Sequence, residues 1–164
     1  MKSPIKVIYI ACMAMLLYSC SAENVEDNLD SSNKEFTVPE VKSIEIEILD
    51  LINSYRVSKN LNTLKSLDII KSQAYSHTDY MIKQNNISHD YFYERKSYLV
   101  ANAGASKVAE NVGYGYSSAE SIVNAWIKSD SHRTTIEGDF TDFDISIEQN
   151  EDGVMYCTNI FIKR

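Results

Sequence analysis

Apolar residues first recur at helical spacing at Ile44, Ile48, Leu51, Ile52 and Tyr55, which predicts an amphipathic helix with one buried face. Thr37-Val-Pro-Glu40 reads as its N-terminal cap, with Pro39 in the first turn, where a missing N–H costs nothing. After the polar break Ser58-Lys-Asn60 the same period returns at Ile70, Ala74, His77 and Met81, predicting a second helix over about residues 66–84 that ends at Asn85-Asn86. Over residues 87–116 the period is lost. This stretch, rich in Tyr, Gly and Ala, reads as irregular, with weak strand character only around residues 110–113. Ser117-Ser-Ala-Glu120 is a second capping box, opening a third helix with Ile122, Val123, Trp126 and Ile127 on one face and an end near Ser131. Phe143, Ile145 and Ile147 then alternate with polar residues, Asp152-Gly153 signals a hairpin turn, and residues 154–162 form a second strand. Helices first and strands last predict an α+β fold in which helices cover a small antiparallel sheet.

The N-terminal residues stand outside this pattern. Residues 1–19 have the layout of an export signal: Lys2 and Lys6, an apolar run over residues 7–17, then the small Ser19. That run is too short to span a bilayer. Leu17-Tyr18-Ser19-Cys20 resembles a lipobox, in which Cys20 becomes the acylated mature N-terminus and partners the lipid bilayer. The remainder of residues 20–37 is polar and acidic, the composition of a flexible tether, which leaves residues 38–164 as one domain. Ser21 and the acidic tether are compatible with a lipid-anchored outer-membrane protein of a Gram-negative cell envelope. Of the three cysteines, Cys12 lies in the signal and Cys20 at the lipidation site, so Cys157 alone remains in the domain and no disulfide can form there. The formal charge of -7, which becomes -9 without Lys2 and Lys6, opposes binding to nucleic acid or anionic lipid surfaces.

Residues 51–56, Leu-Ile-Asn-Ser-Tyr-Arg; residues 61–64; Ile87-Ser-His89; Ala109-Glu-Asn111 followed by Val112-Gly-Tyr-Gly-Tyr-Ser-Ser118; Ala125-Trp126; Ser131-His-Arg133; and a closing hairpin through residues 156–161 occur in an order that resembles bacterial CAP domains, the sperm-coating-protein-like fold. No single piece is specific, but their order and spacing identify the chain as resembling that family over nearly the whole domain. The resemblance implies a three-layer α-β-α sandwich with a small central antiparallel sheet and a shallow cleft into which two histidines and a carboxylate point. Carried over by position, the cleft residues are His89, Glu110 and His132, with Asn111 and Tyr114 beside them. Ala109 and Ser131 stand where the family usually has Gly, and a second glutamate has no clear counterpart, although Asp130 lies nearby.

Two imidazoles and a carboxylate suit a divalent metal such as zinc, with an open position for water or substrate. On that reading His89 and His132 are metal ligands, and Glu110 is the candidate catalytic base or third ligand. The alternative is that all three merely bond loop backbone. His77, on the apolar face of the second helix, reads as a hydrogen-bonded core histidine, Trp126 as core, and Arg133 as paired with a local carboxylate. Ser88, Ser129 and Ser131 neighbour the histidines only in sequence, which argues against serine-protease chemistry. The resulting expectation is a ligand-binding or interaction module whose cleft and Tyr-rich rim (Tyr91, Tyr93, Tyr98, Tyr114, Tyr116) hold a ligand, which the family resemblance implies is a lipid, sterol or protein. The alternative functions are a metal-dependent hydrolase acting on peptides or envelope material, and a structural envelope protein with a vestigial cleft.

Overall fold

Alternation in the last two strands organises the whole domain. In the computed structural model, which describes residues 38–164, β3 (Asp142–Gln149) and β4 (Met155–Lys163) pair antiparallel across the Asp152-Gly153 turn. Gly153 supplies the φ of 75° that the turn needs and that a side chain would resist. β2 (Lys107–Tyr114) pairs antiparallel with the other side of β4, and the two-residue β1 (Lys65–Ser66) pairs parallel with β3, giving the order β1-β3-β4-β2. The expected antiparallel sheet is therefore mixed, because β1 joins β3 through a long connection rather than a hairpin. Residues Glu35–Arg164 form a compact unit of their own.

Side chains leave the strands on alternate faces, and each face is covered. Phe143, Ile145, Ile147, Cys157 and Phe161 pack against α1 (Ser43–Ser58), α4 (Ala119–Lys128) and α5 (Asp130–Ile136), which contribute Ile48, Ile52, Ile122, Val123, Trp126 and Ile136. On the opposite face Val108, Ile160 and Ile162 meet Ile70 and Ala74 of α2 (Asp68–Gln84) and Leu99 of α3 (Phe92–Ala103), while Met81 packs with Val112 and Tyr156. This is a three-layer α-β-α sandwich. Motif residues on α1 act as clamps. Asn53 bonds both the N–H and the C=O of Leu64, at 2.8 and 3.0 Å, and the buried Arg56 guanidinium donates to the carbonyls of Asn62, Ile136 and Gly138.

Three further expectations are corrected. α1 begins at Ser43 rather than in the Thr37–Glu40 box, because the Lys42 N–H donates to Glu45 Oε2 at 2.8 Å and the same buried carboxylate pairs with Lys71 and accepts the Ile147 N–H. Capping of α4 falls on Ser118, one residue later than expected, in a reciprocal exchange with Ser121 at 3.2 Å, and the helix stops at Lys128. There Ser129 turns extended, with ψ 122°, and α5 starts afresh. The largest departure is in residues 87–116, where α3 stands in the expected irregular run and the weak strand expected at 110–113 is the middle of the longer β2. α3 buries only Arg95 and Leu99, so a charged residue occupies its inward face and the apolar period vanishes from the sequence.

Candidate functional site

Glu110 sits midway along β2, and strand alternation turns its side chain toward α2 and α3. The carboxylate is 1% exposed. Such a group is tolerated only when its lone pairs are filled. Arg95 of α3 does so with its fork, donating Nε to Oε2 and Nη2 to Oε1, each at 2.9 Å, while Nη1 donates to the carbonyl of Asp90 at 2.7 Å. His89 places Nδ1 at 2.8 Å from Glu110 Oε1, and His77 of α2 brings Nε2 to 3.8 Å from the same oxygen.

The three histidines occupy different settings. His77 Nε2 donates to the Ser88 carbonyl at 2.8 Å, and burial pushes the ring's proton affinity down, outweighing the pull of Glu110. It is the hydrogen-bonded buried histidine expected from the sequence, except that Nδ1 has no partner. His89 is 54% exposed. With Nδ1–H directed at the carboxylate, its Nε2 is the nitrogen left to accept a proton or meet a ligand. His132 lies on α5, stacked on Trp126 with ring centroids 6.4 Å apart. Its Nδ1 is 2.8 Å from Ser129 Oγ, so this serine does contact a histidine, though with no carboxylate to complete a triad. Burial, then the neighbouring His89, lower its proton affinity.

An open cleft of about 690 Å³ runs past this network, lined by His89, Tyr91, Tyr93, Glu94, Glu110 and Thr135 among others. Behind it, between α2 and α3, a pocket of about 390 Å³ reaches His77 and Arg95. His89 and Glu110 thus come together. Asn111, pointing to the opposite side of β2, donates Nδ2 to the His132 carbonyl at 3.1 Å and ties α5 to the strand. Tyr114, packed on Tyr156 with centroids 4.8 Å apart, stands four residues along β2 and outside the cleft lining. Trp126 is core and donates Nε1 to the Val112 carbonyl, and Arg133 pairs with Asp130 at 2.6 Å. Cys20 lies outside the described residues.

Arg95 belongs to no motif that the sequence displays. Its one signal is an arginine four residues before Leu99, on what becomes a buried helix face. That arginine bears on the metal question. The nitrogens left over on His89 and His132 are suitable donors, but Glu110, the expected third ligand, has both oxygens committed to Arg95 and His89. Among the described residues no three His, Cys, Asp or Glu side chains stand together as metal ligands, so a His89–Glu110–His132 ligand set does not fit this arrangement.

The fold recurs in known proteins. An outer surface protein of Borrelia burgdorferi superposes with a TM-score of 0.69 at 21% identity, over 77% of this chain and 96% of that one. An extracellular protein of Bacillus anthracis containing an SCP domain gives 0.64 at 24% identity, covering 73% of this chain and 40% of its own. In sequence, the membrane protein YlbC of Bacillus subtilis is 27% identical over 124 residues, which is 73% of this chain and 34% of YlbC, so the chain spans about a third of that relative. Residues 49–161 match the sequence profile of the cysteine-rich secretory protein family, and with the sandwich and its motif residues in place the chain belongs to that CAP family.

Proposed function

We propose that this chain is a lipid-anchored, extracytoplasmic CAP-domain protein of the bacterial cell envelope that holds a ligand in the His89/Glu110 cleft. The observation that carries this reading is the clamp beneath the cleft: Arg95 fixes Glu110, Glu110 fixes His89, and the imidazole is presented half-exposed beside Tyr91 and Tyr93, which are 59% and 77% exposed. A rigid polar anchor under exposed aromatic rings is the usual make-up of a recognition site. Anchoring through acylated Cys20 rests on the lipobox-like sequence, and the envelope location is supported by relatives named as membrane, outer surface and extracellular proteins.

The test is thermal stabilisation of residues 35–164 by a panel of phospholipids, a sterol, short peptides and zinc chloride, run beside His89→Ala. A stabilising member whose effect is lost in His89→Ala supports the reading, because a ligand at one hundred times its Kd adds about 2.7 kcal/mol. No stabilisation by any member overturns it. Zinc alone, with loss in both His89→Ala and His132→Ala, would shift the assignment to a two-histidine metal site and a hydrolase.

A further inference from the structure

The floor of the cleft is the open edge of β2, and two hydrogen bonds determine which way its main chain faces. The Asn150 N–H donates to the Val154 carbonyl at 3.0 Å, so even-numbered residues of β4 pair with β3. The Gly115 N–H donates to the Met155 carbonyl at 2.8 Å, so odd-numbered residues of β4 pair with odd-numbered residues of β2. The N–H and C=O groups of Val108, Glu110 and Val112 therefore point away from the sheet, and among the described residues no strand pairs with them. The Val112 carbonyl is capped by the Trp126 indole at 3.1 Å, which closes the free edge at that end.

Around Glu110 the exposed part of the strand is its main chain. Its side chain is 1% exposed, yet the residue as a whole is half-buried, so solvent reaches the peptide groups and not the carboxylate. An edge strand is commonly protected from pairing by an outward charge. Here the charge that would do so is folded back onto Arg95. The exposed charges that do line the groove are Asp90 and Glu94, both acidic, beside the exposed rings of Tyr91 and Tyr93.

We infer that this edge takes an extended basic peptide as an added fifth strand, an inference that rests on the cleft being the binding site. Val108 and Glu110 supply the main-chain ladder, Asp90 and Glu94 receive Lys or Arg side chains, and the tyrosine rings cover their aliphatic stems.

The probe is an acetylated, amidated heptapeptide alternating Lys with Val, titrated into residues 35–164 and followed by NMR. Because a strand presents alternate amides to its neighbour, two N-methylated versions are informative, one methylated at each alternate set. Pairing predicts that one methylated version binds at least tenfold more weakly while the other is little affected, that the Val108 and Glu110 amides exchange at least tenfold more slowly in the complex, and that Asp90→Asn/Glu94→Gln weakens binding severalfold. Equal binding of both methylated versions, or unchanged exchange at Val108 and Glu110, overturns it. If the peptides fail while a lipid or sterol stabilises the domain through His89, strand addition is refuted and the cleft reading stands; if nothing binds, both fall.

Discussion

Arg95→Met, made alone and together with Glu110→Gln, tests whether the cleft is built on a buried ion pair. Arg95 and Glu110 side chains are 8% and 1% exposed, and two bonds of 2.9 Å join them. At about 4 Å between charge centres and an effective dielectric of about 20, their attraction is worth about 4 kcal/mol. Removing one partner strands the other, which costs about 3–5 kcal/mol for buried pairs. Arg95→Met should therefore lose about 3–4 kcal/mol and Glu110→Gln about 2–3 kcal/mol, the latter less because an amide keeps one acceptor for the guanidinium. In the double variant no charge is stranded, so its loss should stay near 3 kcal/mol, giving a coupling of about 2 kcal/mol or more. Urea denaturation of the four proteins at pH 7 measures this directly. The coupling should be nearly unchanged between about 0.05 and 0.5 M salt, since little solvent reaches the pair. Losses that add to within about 0.5 kcal/mol would refute the argument and leave His89 without a fixed support.

Three further outcomes follow from the packing. Burial pushes Asp144 up to about 6 from 3.8, despite amide bonds from Leu67 and Ile145 and the nearby Lys71, so its protonated form is favoured in the fold. The stability it contributes is present below about pH 3.8 and lost as pH rises through about 6, by up to about 3 kcal/mol, and the stability gap between wild type and Asp144→Asn should change over that window; a flat gap would contradict it. Gly113 is needed for closeness, since a Cβ there would lie 2.5 Å from Cys157 Sγ. Gly113→Ala should cost about 1–3 kcal/mol, and Cys157→Ala in the same chain should recover part of that loss, both read by denaturation. The Cys157 thiol, fully buried and pushed far above the usual range, should react with a thiol reagent only at the rate of unfolding; rapid labelling of native protein would disprove its burial.

Much of the architecture is legible in the sequence because it depends on periodicity. Ile48, Ile52, Ile70, Ala74 and Met81 are all buried as their helical spacing requires, and Phe143, Ile145 and Ile147 share one face of β3. What misleads is local chemistry overridden at a distance. The helix start expected at Thr37–Glu40, of which Thr37 lies outside the described residues, falls instead beside Glu45, whose carboxylate is claimed by Lys71 and by the Ile147 N–H, about a hundred residues away. α3 is invisible because an inward-facing arginine looks polar until its partner is known, and that partner, Glu110, is fifteen residues further on in a strand whose sequence does not alternate apolar with polar residues.

Residue types and the order of the family motifs point to His89, Glu110 and His132 together, with Asn111 and Tyr114 beside them. Whether Glu110 is an open ligand or a sequestered support is decided only by where α3 places Arg95. That choice belongs to the tertiary structure. A carboxylate's role is set by which donors reach its lone pairs and how much water remains, and neither quantity is a property of local sequence.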